Sequence, residues 1–314
     1  MSPARPWTPA DIPDLTGKRA LVTGVTSSIG EQTVIELARH GAEVILGARN
    51  PAKLEDSIST IEKAVPGAKL HRLSIDLSDL ASIRRAAAQV EGPLHLLINN
   101  AGVMATPHQR TDDGLELQMA TNHFGPFALT GLLLPQLIAS GDGRVVAVGS
   151  QASRVARRAP LDDPKDQSAH YGRWTAYAQS KLADLMFVFE LDRRARAQGM
   201  PVRGLAAHPG YSATGLMGTD RSTASDRQRM RFTATIMQAV FEAAGQPPEL
   251  AAHPTLMAAT ADLPGSTYVG PSGPLQMRGS PQIVSPRRLA HDREAQSRLW
   301  QISEAATDVR FLDG

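Results

Sequence analysis

The chain has 314 residues, 42 % hydrophobic and 20 % charged, so it can bury a sizeable core and is not a disordered polymer. Its 26 glycines and 22 prolines are too few for a low-complexity chain, and the absence of cysteine excludes disulfides, thiolate zinc sites and thiol nucleophiles. A net charge of +2 with no dominant basic stripe argues against a nucleic-acid partner. The proline-rich residues 1–16 read as an arm across the surface. Strands and helices then alternate. Arg19 to Thr23 is a short apolar strand. Ile29 to His40 has helical spacing, with Ile29, Val34, Leu37 and Ala38 apolar and Gly41 as the stop. Glu43 to Gly47 is a second strand. Asn50 and Pro51 form an N-cap and a first-turn proline, opening a helix that ends near Pro66-Gly67. Leu70 to Ile75 is a third strand, and Ser78 is expected to cap a helix through Val90. Leu94 to Asn99 is a fourth strand, apolar on both faces. A long helical segment runs from about Asp113 to Ala139, then a fifth strand from Arg144 to Val148. A helix from about Arg173 to Gln198 and a strand from Val202 to Ala207 complete the alternation.

Continuous apolar strands alternating with helices argue for an α/β fold, a parallel sheet covered on both faces. No composition shift or internal repeat divides residues 17–314, which read as a single domain. After Gly210 the alternation stops: 211–245 reads as a helical flap over the site and 249–260 as a packing helix. Ser266 to Gly270 reads as a last strand and 287–306 as a C-terminal surface helix. No apolar run reaches the roughly 18 residues of a membrane span. The opening MSPARPWTPADIPD lacks the apolar core of a signal peptide, so a cytoplasmic location is expected.

Between the first strand and the first helix lies Thr23-Gly24-Val25-Thr26-Ser27-Ser28-Ile29-Gly30. Glycines there let the chain turn tightly and bring backbone N–H groups up to a pyrophosphate at the helix N-terminus. This loop resembles the T-G-x-x-x-G-x-G loop of the short-chain dehydrogenase/reductase family. The resemblance continues in family order through Asn99-Asn100-Ala101-Gly102, Asn122 in TNHFGPF, Gly149-Ser150, Tyr177 and Lys181 of Y-x-x-x-K, and Pro209-Gly210. The phrases LDDP, YAQSKLADLMF, YVGPSGPLQMRG and SRLWQISEAAT look most like the retinol-dehydrogenase-like branch. The fold it implies is a Rossmann-type doubly wound sheet with a helical substrate lid. One departure lies in the loop, where Ser28 replaces the middle glycine. Its Cβ either pushes the pyrophosphate outward and weakens affinity, or its hydroxyl donates a compensating hydrogen bond.

Tyr177 and Lys181 are four residues apart, one helical turn, on one face. A free tyrosine, with a pKa of about 10, is a poor base at neutral pH, and a nearby ammonium favours its phenolate. Such a pair can protonate a carbonyl oxygen or deprotonate an alcohol. The resemblance implies that Ser150 hydrogen-bonds the reacting oxygen, that Lys181 also holds the ribose hydroxyls, and that Asn122 anchors a proton-relaying water. Asp184 stands where this branch often has asparagine, one turn from Lys181. It either pairs with that lysine and blunts its effect on Tyr177, or faces another element without consequence; the second is the expectation taken here.

An acid after the second strand reads ribose hydroxyls, whereas an arginine accommodates a 2′-phosphate. Here no acid ends that strand and Arg49 follows it, so NADP(H) is expected, with NAD(H) as the alternative. The resemblance adds Ser27 as a second 2′-phosphate contact and Asp76 and Leu77 as the adenine edge. Gly24, Thr26, Ser28, Ile29, Gly30, Asn100, Ala101, Gly102, Pro209 and Gly210 complete the expected cofactor contacts. No metal is expected.

The segment 211–245 carries Met217, Met230 and Met237 among other apolar residues, which suits a lipophilic carbonyl or alcohol. Arg221, Arg227, Arg229 and Arg231 in the same segment read as a solvated face rather than as an anion site. The function expected is an NADP(H)-dependent oxidoreductase interconverting a lipophilic carbonyl and its alcohol. Two readings stay open beside it: a C=C reductase of the same family, and a nucleotide-binding sensor or scaffold with little catalysis. Dimers and tetramers are common in the family, so the resemblance implies a homo-oligomer.

Overall fold

The computed structural model describes residues 5–165, 171–210 and 246–312; the lid expected over 211–245 lies outside them. The strands are β1 (Arg19–Thr23), β2 (Glu43–Ala48), β3 (Leu70–Ser74), β4 (Leu96–Asn99), β5 (Gly143–Val148), β6 (Val202–Ala207), β7 (Tyr268–Pro271) and β8 (Pro281–Ile283). They form one sheet in the order β3-β2-β1-β4-β5-β6-β7-β8, parallel from β3 to β7 with β8 antiparallel at the edge. The helices that cover it are α1 (Ser28–Arg39), α2 (Pro51–Ala64), α3 (Leu80–Ala87), α4 (Leu117–Met119), α5 (Gly125–Leu132), α6 (Leu134–Ala139), α7 (Arg173–Ala197), α8 (Pro248–Thr260) and α9 (Arg293–Thr307).

Side chains alternate across the sheet with period two. Leu21, Ile45, Leu97 and Val145 enter one core, with Ile83, Phe127, Leu182 and Trp300 from α3, α5, α7 and α9. Val22, Leu46, Ile98 and Val146 enter the other, with Val34, Leu54 and Leu256 from α1, α2 and α8. Burial on both faces is why these strands read as unbroken apolar runs. The N-terminal segment joins the second core through the buried Ile12 and Leu15. The chain leaves β1 toward β2 and β3 on one side and returns to β4 on the other. A crevice therefore opens at the carboxyl ends of β1 and β4, where α/β sheets take their ligands.

Three local expectations are corrected. Asp79, not Ser78, caps α3, its carboxylate accepting from Ser82 N at 3.0 Å, while Ser78 bonds the Asp76 carboxylate instead. The long helix expected from Asp113 to Ala139 starts at Leu117, capped by Glu116, and is divided by a π turn at Ala120–Phe124. Pro126 and Pro135 remove backbone donors from the two helices that follow. The C-terminal helix starts at Arg293 rather than 287, with Asp292 as its N-cap, after a separate 3₁₀ turn at Arg288–His291. β8 had no sequence expectation at all.

The two outer strands are handled differently. On β3, Arg72 makes a two-pronged ion pair with Glu55 of α2, at 2.6 and 2.7 Å, and His71 Nε2 lies 3.2 Å from Glu43. β8 is only three residues long and opens with Pro281.

Candidate active site

The loop after β1 is shaped by its own hydrogen bonds. Ser27 caps α1: its hydroxyl donates to Gly24 O at 2.8 Å and accepts from Gly30 N at 3.1 Å. That donor is thereby committed inside the loop. The N–H groups of Ser28 and Ile29 have no acceptor within the helix, as first-turn geometry requires. Thr26 and Ser28 are exposed at the mouth of the crevice. Gly24 has φ +69°, and a Cβ there would come within 2.6 Å of Ala101 Cα, so the loops after β1 and β4 touch backbone to backbone. Any side chain at Gly30 would strike Gly24 O.

Asn100 fastens these loops together, its amide donating to Thr23 O at 2.9 Å and Gly24 O at 3.1 Å. The Thr23 hydroxyl accepts in return from the N–H groups of Asn100 and Ala101, both at 3.1 Å. A Cβ on Gly102 would stand 3.1 Å from Asn122 Oδ1 and 3.5 Å from Lys181 Nζ. That one position therefore joins the β4 loop, the π turn and α7.

Asn122 sits in the π turn, a distortion that recurs at functional sites. Its Oδ1 accepts from Val103 N at 2.8 Å, and its Nδ2 donates to Val103 O and Ser180 Oγ, both at 2.9 Å. Ser150 follows β5 and caps the 3₁₀ turn Gln151–Val155, accepting from Ala152 N at 3.2 Å. Tyr177 and Lys181 lie on the buried face of α7. Lys181 Nζ donates to Val148 O and to Asp184 Oδ2, both at 2.9 Å. Asp184 therefore pairs with the lysine, which corrects the expectation that it faces elsewhere; both side chains are under one tenth exposed. Burial works against the Lys181 charge, yet the Asp184 carboxylate and the Tyr177 oxygen hold the ammonium above the ordinary lysine value. Burial pushes the Asp184 carboxyl up to about 6, against the pull of Lys181.

At the adenosine end of the crevice, Arg49 is 70 % exposed and its guanidinium lies 3.5 Å from the Asp76 carboxylate. Leu77 is buried beside it. Beyond β6, Gly210 N donates to the buried His208 Nδ1 at 3.2 Å, and Pro209 O accepts from Gln246 at 2.7 Å. A cleft of about 530 Å³ is lined by His108, Tyr171, Arg173 and Trp174 among others. His108 stacks on Tyr171, and Trp174 meets the Tyr177 ring edge-on with centroids 6.5 Å apart.

Two contributors were missed from sequence. Ser180 links Asn122 to Tyr177 O, and its place three residues after Tyr177 was the available signal. Thr23 is the acceptor under the β4 loop, and only the three-dimensional pairing of β1 with β4 reveals that. The crevice fits a dinucleotide: open N–H groups at a helix N-terminus, a tight turn at Gly24 and Gly30, and an exposed guanidinium at one end. Among the described residues no cluster of three or more His, Asp or Glu could hold a metal, and no helix is long and apolar enough to cross a membrane.

Comparison with known proteins identifies the family. The family profile described as short chain dehydrogenase matches residues 18–161. The chain belongs to the short-chain dehydrogenase/reductase family, in its retinol-dehydrogenase-like branch, and is an oxidoreductase of a family that binds NAD(P)(H). It is 37 % identical to retinol dehydrogenase 13 of Homo sapiens over 296 residues, 91 % of this chain and 83 % of that one. It is 40 % identical to polyprenol dehydrogenase of Mus musculus over 215 residues, 66 % of this chain and 64 % of that one. A solved structure of an uncharacterized protein from Mycobacterium Paratuberculosis superposes with a TM-score of 0.79 at 40 % identity, covering 98 % of this chain and 99 % of that chain.

Proposed function

We propose that the protein is an NADP(H)-dependent oxidoreductase that interconverts a lipophilic carbonyl compound and its alcohol. The observation that carries this reading is the Tyr177–Lys181 pair, buried at the carboxyl end of β5 and tied there to Val148 O. Bound in the crevice, the nicotinamide group supplies or accepts the electron pair. Tyr177 gives its hydroxyl proton to the carbonyl oxygen in reduction and takes it back in oxidation. The Ser150 hydroxyl accepts from Ala152 N, which leaves its own proton to donate to the same oxygen. Two of the three Lys181 protons are committed, and the third serves the ribose hydroxyls. Asn122 holds the β4 loop against α7 and retains one lone pair for a relaying water.

The preference for NADP(H) rests on Arg49. Its contact with Asp76 is long and solvated, so the guanidinium is free to turn onto a 2′-phosphate. With the Ser27 hydroxyl committed to its own loop, Arg49 carries that recognition. Asp76 and Leu77 bound the adenine, and the N–H groups of Ser28 and Ile29 meet the pyrophosphate, with Pro209 and Gly210 closing the nicotinamide end. A lipophilic substrate is supported by the aromatic cleft at Trp174 and by relatives named for retinol and polyprenol. The test is oxidation of NADPH and NADH against a panel of aldehydes, ketones and enones. Turnover of apolar aldehydes or ketones with NADPH is expected. Turnover of enones alone makes the protein a C=C reductase, equal use of NADH removes the Arg49 assignment, and no turnover with any of them overturns the reading.

A further inference from the structure

We propose that Asp184 is a positioning residue that offsets part of the Lys181 charge beside Tyr177, so that the site is poised to reduce carbonyls. This rests on the reading of Tyr177 as the proton-transfer group. The geometry is specific. The carboxylate is one turn along α7 from the ammonium, 2.9 Å away, and both side chains are under one tenth exposed. In so dry a place a countercharge is felt strongly, because water does not screen it. An unpaired ammonium beside a phenol stabilises the phenolate; an ammonium already matched by a carboxylate does so less.

Among the described residues, Asp184 is the countercharge bonded to Lys181. Tyr177 is the ionisable neighbour on the same helix, and Tyr268 on β7 is the one across from it, its buried hydroxyl feeling the Asp184 charge. From the π turn, Asn122 is neutral and His123 turns to Ser303 at 2.7 Å. Arg154, on the 3₁₀ turn after β5, and His208, beyond β6, both reach to Gln276. Glu304 of α9 accepts from Trp300, and His291 stacks on Phe189. None of these is bonded to the Lys181 ammonium.

Reduction breaks the Tyr177 O–H bond and delivers its proton to the substrate oxygen. Oxidation needs the phenolate first. A countercharge therefore favours the donor state and moves the onset of alcohol oxidation to higher pH. Asp184→Asn keeps the shape and an oxygen for Lys181 while removing the charge. It is expected to move the rise of alcohol oxidation, and the fall of carbonyl reduction, to lower pH by about one unit, a tenfold change at fixed pH. Ultraviolet titration of tyrosinate in the cofactor-free protein, with Tyr177→Phe as the blank, should move the same way. Asp184→Glu should restore the wild-type profile even where turnover differs. If Asp184→Asn does not fold, Asp184→Ser carries the same expectation. Unmoved profiles, or a move to higher pH, overturn the proposal. Full activity in Tyr177→Phe would instead overturn the reading beneath it.

Discussion

The two ends of the crevice are built on opposite physical terms. At the catalytic end, Tyr177, Lys181, Asp184, Asn122 and Ser180 are all buried, and each polar group of the lysine–asparagine set is bonded to a neighbour 2.8–2.9 Å away. At the phosphate-loop and adenosine end, Thr26, Ser28 and Arg49 face solvent, and the Arg49–Asp76 ion pair is 3.5 Å long. A buried group acts through a fixed field that a single substitution upsets. An exposed group acts through contacts that form only when the ligand arrives, and its loss is partly made good by water.

That contrast predicts a gradient of effects. Tyr177→Phe keeps the buried ring and removes only the hydroxyl. Its turnover should fall by about 10²–10⁴ while fluorescence titration shows NADPH binding nearly unchanged. Retention of full activity would show that the buried end is not the chemical end. Arg49→Ala should weaken NADPH binding by roughly 10- to 100-fold, the worth of one charged contact, and leave NADH binding nearly as it was. Equal losses for both cofactors would place Arg49 on some group other than the 2′-phosphate. Ser28→Gly, at an exposed first-turn position, should leave the fold intact and hold or improve cofactor affinity; a large loss in calorimetry would make its hydroxyl a ligand.

A further effect concerns stability. Burial lowers His123 to about 3 and His208 to about 4, well below the ordinary histidine value. The unfolded chain therefore binds protons that the folded one refuses, so stability falls as pH drops below about 6.5 and goes on falling toward those lower values. His123→Phe, among Phe124, Phe127 and Phe187, should flatten that acid limb in thermal melts at successive pH values. An equally steep limb would assign the acid sensitivity to other groups.

Much of the frame was legible because it rests on local rules. Asn50 with Pro51 announced α2, and the apolar runs announced strands buried on both sides. The errors came where a choice between near neighbours depends on the tertiary partner. Ser78 and Asp79 are both good caps, and Asp76 decided the matter by engaging Ser78. The π turn at Ala120–Phe124 leaves no trace in hydrophobic spacing, since the residues from Asn122 to Thr130 are buried on all sides. The i, i+3 spacing of Lys181 and Asp184 was plain in sequence. That the pair closes on itself was not, because it depends on Val148 O drawing the ammonium inward.

The margins of the sheet carry a consequence for association. A strand edge is a row of unsatisfied backbone groups that invites another chain to extend it. Here one margin, β3, is fringed by the Arg72–Glu55 pair and by His71, and a strand docking alongside would have to displace or desolvate them. The other margin, β8, offers three residues and begins with a proline that has no hydrogen to donate. Neither margin of the described sheet invites a continuous intermolecular ladder.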